Sequence, residues 1–396
     1  MRIAILSWES LHSIPVGGIA VHVTELAAAL TRAGHEVHVI TRMGAGQPAY
    51  SCIDGVHYHR CVYDWRPHFI QDVYSMCGAF TDRVFQIEDY SGRVDIVHGH
   101  DWMTAKAAAW TRQGRGKRVV MTFHSTEYGR AGNYFHEGDS RTIRDLEWEA
   151  QYVADEVIAV SNTLREEIIR IYSTPPDKIC TIYNGVNPGL FSRFVDQGQV
   201  KQRYGIGPLD PLVLYVGRMV YQKGPDLLLE VVPRVLQSFP QARFAFVGDG
   251  DMRRGLEHRA GELGVAHAVR FLGARYGDEL VDIYLAADVV CVPSRNEPFG
   301  IVILEAWSAG KPVVACSNGG PSEFVWHGVT GLKCGLLPED ISSALVALLE
   351  RRDYAQWIGR NGRTAVETTF SWDRIAARTL EVYERVLNGK GGGLPQ

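Results

Sequence analysis

Short apolar runs that end in polar or glycine-rich turns recur along the whole chain, with amphipathic stretches between them. In the first half they are RIAILSW, EVHVITR, VHYHRCV, VDIVHGH, RVVMTFH, EVIAVSN and KICTIYN. In the second half they are LVLYVGR, RFAFVGD, VRFLG, DVVCVPS, PVVACSN and the weaker GLKCG. Runs this short, rich in Val and Ile and bounded by turns, predict strands buried on both faces. Between them lie helical patterns such as HVTELAAALTRAG. There Val23, Leu26, Ala27 and Leu30 share one face, and Gly34 sits where a helix stop belongs. Strand and helix alternating throughout predict parallel sheets with right-handed crossovers.

The set occurs twice, which predicts an α/β protein of two doubly wound domains in tandem, facing a cleft. The boundary is expected in NGVNPGLF, residues 184–191, where turn residues cluster after a strand. This gives a first domain over 1–186, a second over 187–370, and a closing helix over 371–390 expected to pack back toward the first. The glycine-rich tail NGKGGGLPQ is expected to be disordered. Ligands of such sheets bind beyond the carboxyl ends of the strands. Polar residues just after the strands are therefore the candidates for chemistry.

Composition narrows the choice. The 396 residues are 46% hydrophobic and 22% charged, with a net charge of −4. That excludes a disordered chain or a disulfide scaffold. It also argues against nucleic acid as the main partner, since phosphate neutralisation needs a basic face. Residues 1–186 carry 18 basic and 22 acidic side chains, which disfavours peripheral contact with anionic membranes. Eleven of the 14 histidines lie in that half, so groups that titrate near neutrality concentrate there. The seven cysteines are odd in number and contain no C-x-x-C pair, so neither a disulfide nor a zinc framework is expected. No apolar run approaches the roughly 20 residues that span a bilayer, and MRIAILSWES lacks the pattern of a signal peptide. A cytoplasmic location is expected.

Three segments carry candidate chemistry. Gly17 and Gly18 follow the first strand and precede the first helix. Adjacent glycines admit a phosphate close to the backbone, but G-x-G-x-x-G is absent and a purely structural turn is the competing reading. Arg218 just past the strand LYVG, with Lys223 five residues on, would set two cations at a strand end. A diphosphate leaving group needs such cations, because charge develops on it in the transition state. Solvated surface cations are the alternative; the flanking glycines favour a site. In Glu297-Pro-Phe-Gly-Ile-Val-Ile-Leu-Glu305 the first carboxylate falls on a loop and the second inside a helix expected to start near Gly300. Glu305 among apolar neighbours needs donors, and ribose hydroxyls would supply them. Backbone N–H groups of Phe299, Gly300 and Ile301 would hold sugar hydroxyls.

With these residues in place the chain resembles a retaining nucleotide-sugar glycosyltransferase of family 4 (glycosyl transferases group 1), with the GT-B fold of two Rossmann-like domains. The likeness runs from GGIAVHVTELAAAL through NGV…F to the closing FSW helix. It implies that Glu297 and Glu305 form the family's two-glutamate motif, and that Arg218 and Lys223 bind phosphate. It further implies that Gly17 and Gly18 form the glycine loop, and that His124 in TFHSTEYGR lies near the transferred sugar. NGVN departs from the family's frequent NGVD, so Asn187 is given no role. HGHDWMT is similar to the corresponding stretch of glycogen and starch synthases, which implies His100 and Asp101 beside the cleft. Glu127 and Arg130 are expected on a loop at the acceptor side. The H-x-H-D spacing also suggests a metal; His98 as core and His100 as lining are favoured instead, and no metal site is expected.

Two further segments are read as structural. The basic run Arg112–Arg118 is expected to be a helix-to-strand loop at the back of the sheet. Tyr63, Trp65, Phe69, Tyr74 and Phe80 are expected mostly to pack. The function expected is transfer of a hexose, glucose favoured, from a nucleoside-diphosphate sugar to a hydroxyl acceptor, with retention and without a metal or other cofactor. His124, Arg218, Lys223 and Glu297 are the expected catalytic group. UDP, ADP and GDP as carrier stay equally open. A glucan synthase is the narrower alternative. A non-catalytic nucleotide-sugar-binding subunit and a sugar-nucleotide epimerase are the alternatives of a different kind.

Overall fold

The computed structural model describes residues 1–389; the tail expected to be disordered lies almost wholly outside them. The described chain divides into two compact units. One comprises Met1–Asn184 with the chain from Trp372 onward, the other Gly185–Ser371.

The first unit holds β1 (Arg2–Leu6), β2 (Glu36–Arg42), β3 (Tyr50–Ile53), β4 (Val56–Cys61), β5 (Ile96–His100), β6 (Arg118–Phe123), β7 (Glu156–Ala159) and β8 (Ile179–Thr181). They form one sheet in the order β3-β4-β2-β1-β5-β6-β7-β8. Every pairing is parallel except β3 with β4. β3 is absent from the apolar runs because it is a half-exposed edge strand, not a buried one. It is made by a hairpin whose turn is Asp54-Gly55, at φ 52° and 79°. Positive φ at both central residues is what a tight two-residue hairpin requires.

Ile3, Ile5, Val37, Val39, Ile96 and Val120 build the core of this sheet. The helix Gly18–Arg32 covers it with Val23, Leu26 and Leu30, and the C-terminal helix Trp372–Leu387 with Trp372, Ile375 and Tyr383. The tyrosine hydroxyl lies 2.7 Å from Nδ1 of His98, whose Nε2 lies 2.7 Å from Thr122 Oγ1. Both ring nitrogens of this buried histidine are thus satisfied, as a core role requires.

The second unit holds β9 (Leu212–Val216), β10 (Arg243–Val247), β11 (Val269–Gly273), β12 (Val289–Val292), β13 (Val313–Cys316) and β14 (Leu332–Cys334), all parallel, in the order β11-β10-β9-β12-β13-β14. Its core joins Val213, Tyr215, Phe244 and Val314 to Leu228, Leu229, Ile341 and Leu345 from the covering helices. None of the seven cysteines is in a disulfide. No helix among the described residues is long and apolar enough to cross a membrane.

In each sheet the strand order reverses once, between β1 and β5 and between β9 and β12. Crossovers on the two sides of such a point leave in opposite directions, and the carboxyl ends of those strands border an open crevice. The segments after β1, β5, β9 and β12 are therefore where a ligand site belongs in each unit. Those segments contain Gly17, Asp101, Arg218 and Glu297, and His100 is the last residue of β5.

Candidate active site

In the second unit, Arg218 follows β9 and its carbonyl accepts the Tyr215 hydroxyl at 2.8 Å. Lys223 closes a short helical turn, Tyr221–Lys223, after which Gly224 adopts φ 63° and caps the helix Pro225–Ser238. A Cβ on Gly224 would stand 2.2 Å from the carbonyl oxygen of Pro293, so only glycine lets this turn lie against the end of β12. That close approach carries Lys223 to Glu297. The ammonium donates to both carboxylate oxygens, at 2.9 and 2.8 Å, and Ser294 Oγ donates to Oε2 at 3.0 Å. Cation and carboxylate, expected to act separately, form one largely buried, hydrogen-bonded pair. Glu297 is held from the other side as well. Its carbonyl accepts the Gly320 amide at 2.8 Å, and Gly319 packs so tightly that a Cβ would meet that carbonyl at 2.2 Å.

The helix Ile301–Ser308 begins directly after Gly300, which caps it at φ 99° without a side-chain partner. The amides of its first turn, Ile301 included, thus meet no capping side chain. Phe299 is buried, its ring packed on Phe324 at 5.0 Å, so its side chain belongs to the core. Glu305 lies one turn inside the helix. Tyr284 donates to its Oε2 at 2.7 Å, a partner that the sequence reading did not include. Burial raises the Glu305 pKa, with the Tyr284 bond opposing that shift.

In the first unit, the glycine pair opens the helix Gly18–Arg32. The amides of Val16 and Gly17 donate to Glu9 Oε2 at 2.7 and 2.5 Å. The carboxylate of this chain thus occupies amides that the sequence reading offered to a phosphate. After β5, Asp101 adopts φ 55° and turns its carboxylate onto the following strand, where Oδ1 accepts the His124 amide at 2.7 Å. Burial pushes the Asp101 carboxyl up to about 7, against the nearby Arg130 charge and the His124 amide. His100 Nδ1 stands 3.1 Å from His124 Nε2, and the two rings stack at 5.4 Å. His22, from the first helix, closes on His124 with ring centroids 4.5 Å apart. Its position in the sequence, on a helical face otherwise made of Val23 and Leu26, gave no signal of this.

Residues 127–130 form a helical turn, not the expected loop, because Thr126 caps it by accepting the Gly129 amide at 3.0 Å. Arg130 is bound inward, to Glu147 at 2.8 Å, Ser125 at 2.7 Å and Glu127 at 3.3 Å. Glu147 is wholly buried and also accepts the Glu127 amide at 2.8 Å. Arg130 and Glu127 therefore brace the turn that follows His124.

The basic run is also not a loop. Arg112 and Arg115 end the helix Ala105–Arg115, Gly116 caps it at φ 62°, and Arg118 opens β6. Its charges meet Asp155, Asp89 and Glu88. Phe80 packs in the core as expected, whereas Trp65 is 73% exposed.

A pair of parallel-sheet α/β units is the architecture of the GT-B glycosyltransferases. Residues 16–190 match the family described as Glycosyltransferase Family 4, and residues 196–365 that described as Glycosyl transferases group 1. The chain is 37% identical to an uncharacterized glycosyltransferase of Methanocaldococcus jannaschii, over 99% of this chain and 100% of that one. It is 30% identical to a glycogen synthase of Mycobacterium tuberculosis, over 98% and 96%. Sucrose-phosphate synthase from Thermosynechococcus elongatus superposes with a TM-score of 0.83 at 25% identity, covering 98% and 99%. This chain belongs to the family 4, group 1 glycosyltransferases.

Proposed function

We propose that the chain transfers a hexose, glucose by preference, from a nucleoside-diphosphate sugar to a hydroxyl acceptor, with retention at the anomeric carbon. The observation that carries this reading is the Lys223–Glu297 pair at the switch point of the second sheet, with Lys223 five residues after Arg218. Arg218 and Lys223 bind the diphosphate, and their charge stabilises it as it leaves. Glu305 takes the ribose hydroxyls, and backbone from Glu297 to Ile301 takes the hexose. In the first unit His124 contacts the transferred sugar, with His100 beside it and Asp101 positioning it through the backbone bond. The two cations do the electrostatic work for which other transferases use a metal.

The acceptor attacks from the face the leaving group departs from. The departing phosphate oxygen takes the acceptor proton as the new glycosidic bond forms. The rival course makes Glu297 a covalent nucleophile, which needs a carboxylate lone pair aimed at the anomeric carbon. Both Glu297 oxygens accept hydrogen bonds, three in all, from Lys223 and Ser294. That arrangement supports an electrostatic and positioning role for Glu297. The glycogen synthase relative favours a glucan as the narrower acceptor class.

A thermal-shift screen of UDP, ADP and GDP and their glucose conjugates tests the reading, since a bound ligand raises stability by mass action. One nucleotide family should raise the melting temperature, and its sugar should then appear on a hydroxyl acceptor in the anomeric configuration of the donor. Isomerised donor without transfer would indicate an epimerase. Binding without turnover would indicate a decayed subunit.

A further inference from the structure

The histidines that meet at the first switch point have an arrangement that sugar contact alone does not use. His22, His100 and His124 each offer one ring nitrogen, and the three lie within 4.8 Å of one another. His22 Nδ1 stands 2.6 Å from Asn184 Oδ1, so Nδ1 carries the proton and the lone pair sits on Nε2. That Nε2 is buried and has no hydrogen-bond partner. Buried ring nitrogens without partners are uncommon and call for an explanation. Neutral imidazole is the form that binds metal.

We propose that His22, His100 and His124 bind one divalent transition-metal ion of the zinc type. Zinc–nitrogen bonds of about 2.0–2.1 Å put tetrahedral ligand nitrogens about 3.3 Å apart. His100 Nδ1 and His124 Nε2 already stand 3.1 Å apart, and His22 need only draw in. Metal-bound histidines commonly hold their second nitrogen on an oxygen acceptor, which Asn184 provides for His22. Three nitrogen ligands leave a fourth position for water or a sugar hydroxyl. The only change the rings need is a shift of one proton between the nitrogens of a neutral imidazole. The second half of the inference rests on the reading of His124 as a sugar contact: an ion there occupies the ring, so the metal inhibits transfer.

The test uses the full chain, stripped with EDTA and dialysed. Cobalt(II) should give the visible bands of a nitrogen-ligated four-coordinate ion, and calorimetry with zinc should show one ion per chain. His22→Gln should abolish this binding. Asn184→Ala keeps all three ligands but frees the His22 ring, and should weaken binding about 10–100-fold. His57→Ala, outside the cluster, should bind as the parent does. Far-UV circular dichroism shows which variants fold, and Asn184→Ala carries the test if His22→Gln does not. A parent chain that takes up no ion, or variants that bind unchanged, would overturn the site. So would binding lost in His57→Ala.

Zinc should lower sugar transfer reversibly and leave the affinity for the bare nucleoside diphosphate unchanged. An ion bound at the cluster without loss of transfer would overturn the inhibition alone. If no donor is turned over even by the stripped protein, the proposed activity fails, and the cobalt spectrum still decides the site.

Discussion

Lys223 Nζ stands 2.9 and 2.8 Å from the two carboxylate oxygens of Glu297, closing a contact between residues 74 apart in sequence. The pair is largely buried, with 21% of the lysine side chain and 9% of the glutamate side chain exposed. A salt bridge that solvent still reaches adds little stability, whereas removing one partner leaves the other charge desolvated. The pair is therefore better understood as a stored cation. Under the proposed function an arriving diphosphate would compete with Glu297 for the ammonium, and the lysine need not be brought in from solvent.

Lys223→Ala should lower kcat on the order of 100-fold or more and lower kcat/KM with it, because the charge matters most as the phosphate departs. It should also cost about 1–3 kcal/mol in stability, since only Ser294 then meets the Glu297 carboxylate. The double variant Lys223→Ala/Glu297→Ala should recover part of that stability and none of the rate. Steady-state kinetics with melting curves on the same samples separates the two effects. A raised donor KM with unchanged kcat would reduce Lys223 to ground-state binding.

Much of this framework is legible in the sequence, because short Val/Ile-rich runs mark parallel strands directly. Thirteen of the 14 strands among the described residues correspond to such runs. The exception, β3, is half exposed and alternating, and Asp54-Gly55 is the only local sign of it. What the one-dimensional pattern does not carry is the pairing of side chains across the fold. Arg218, Lys223 and Glu297 stand out by type and position, but the Lys223–Glu297 bond depends on Gly224 letting a turn touch Pro293. His22 looks like one more core position on an apolar face, and its significance depends on where β5 and β6 end. The helical turn of Glu127–Arg130 is not legible for the same reason: Glu147, which ties Arg130 inward, lies on a separate helix.

Tyr383→Phe should destabilise the first unit by about 1–3 kcal/mol. The hydroxyl lies 2.7 Å from buried His98 Nδ1, and without it one ring nitrogen has no partner. For a unit of this size that is a fall of about 2–4 °C in melting temperature per kcal/mol. Since His98 lies behind the site, donor KM should not change. A variant that melts with the parent would mean water replaces the hydroxyl.

Excess EDTA should not abolish transfer. In the proposed function the charge on the leaving diphosphate is met by Arg218 and Lys223, and the ion proposed for the three-histidine cluster inhibits. Activity in EDTA should equal or exceed that of untreated protein. Loss restored only by added divalent metal would contradict the metal-free reading of the donor site.

Burial pulls the Lys311 pKa down to about 8, with Lys201 adding to the effect and Asp288 opposing it. A lysine depressed in the folded state and near 10.4 in the unfolded chain makes the unfolded state bind more protons between those values. Stability from this group is therefore lowest below about pH 8 and rises toward pH 10.5. Lys311→Met removes the penalty, so it should be more stable than the parent at pH 7, and the difference should shrink as pH approaches 10.5. Urea melts of both proteins across that range measure it. A constant difference would assign the effect to packing of the methionine.

Glu305→Gln should weaken nucleoside diphosphate binding about tenfold, and the loss should be confined to ligands that carry ribose hydroxyls. Tyr284 donates to Oε2 at 2.7 Å, which fixes the carboxylate, and no partner for Oε1 is found among the described residues. A hydroxyl bonded to a carboxylate is worth about 1.5–3 kcal/mol, and one bonded to a neutral amide about 0.5–1.5. The difference, roughly 1–1.5 kcal/mol, is about a factor of ten. Glutamine keeps the shape and an acceptor for Tyr284, so the helix Ile301–Ser308 should stay folded. A 2′,3′-dideoxynucleoside diphosphate offers no hydroxyls to Oε1 and should bind the parent and the variant equally. Calorimetric titration of both ligands into both proteins completes the cycle. Equal weakening for the two nucleotides would place Glu305 in the support of the helix, with the ribose held elsewhere.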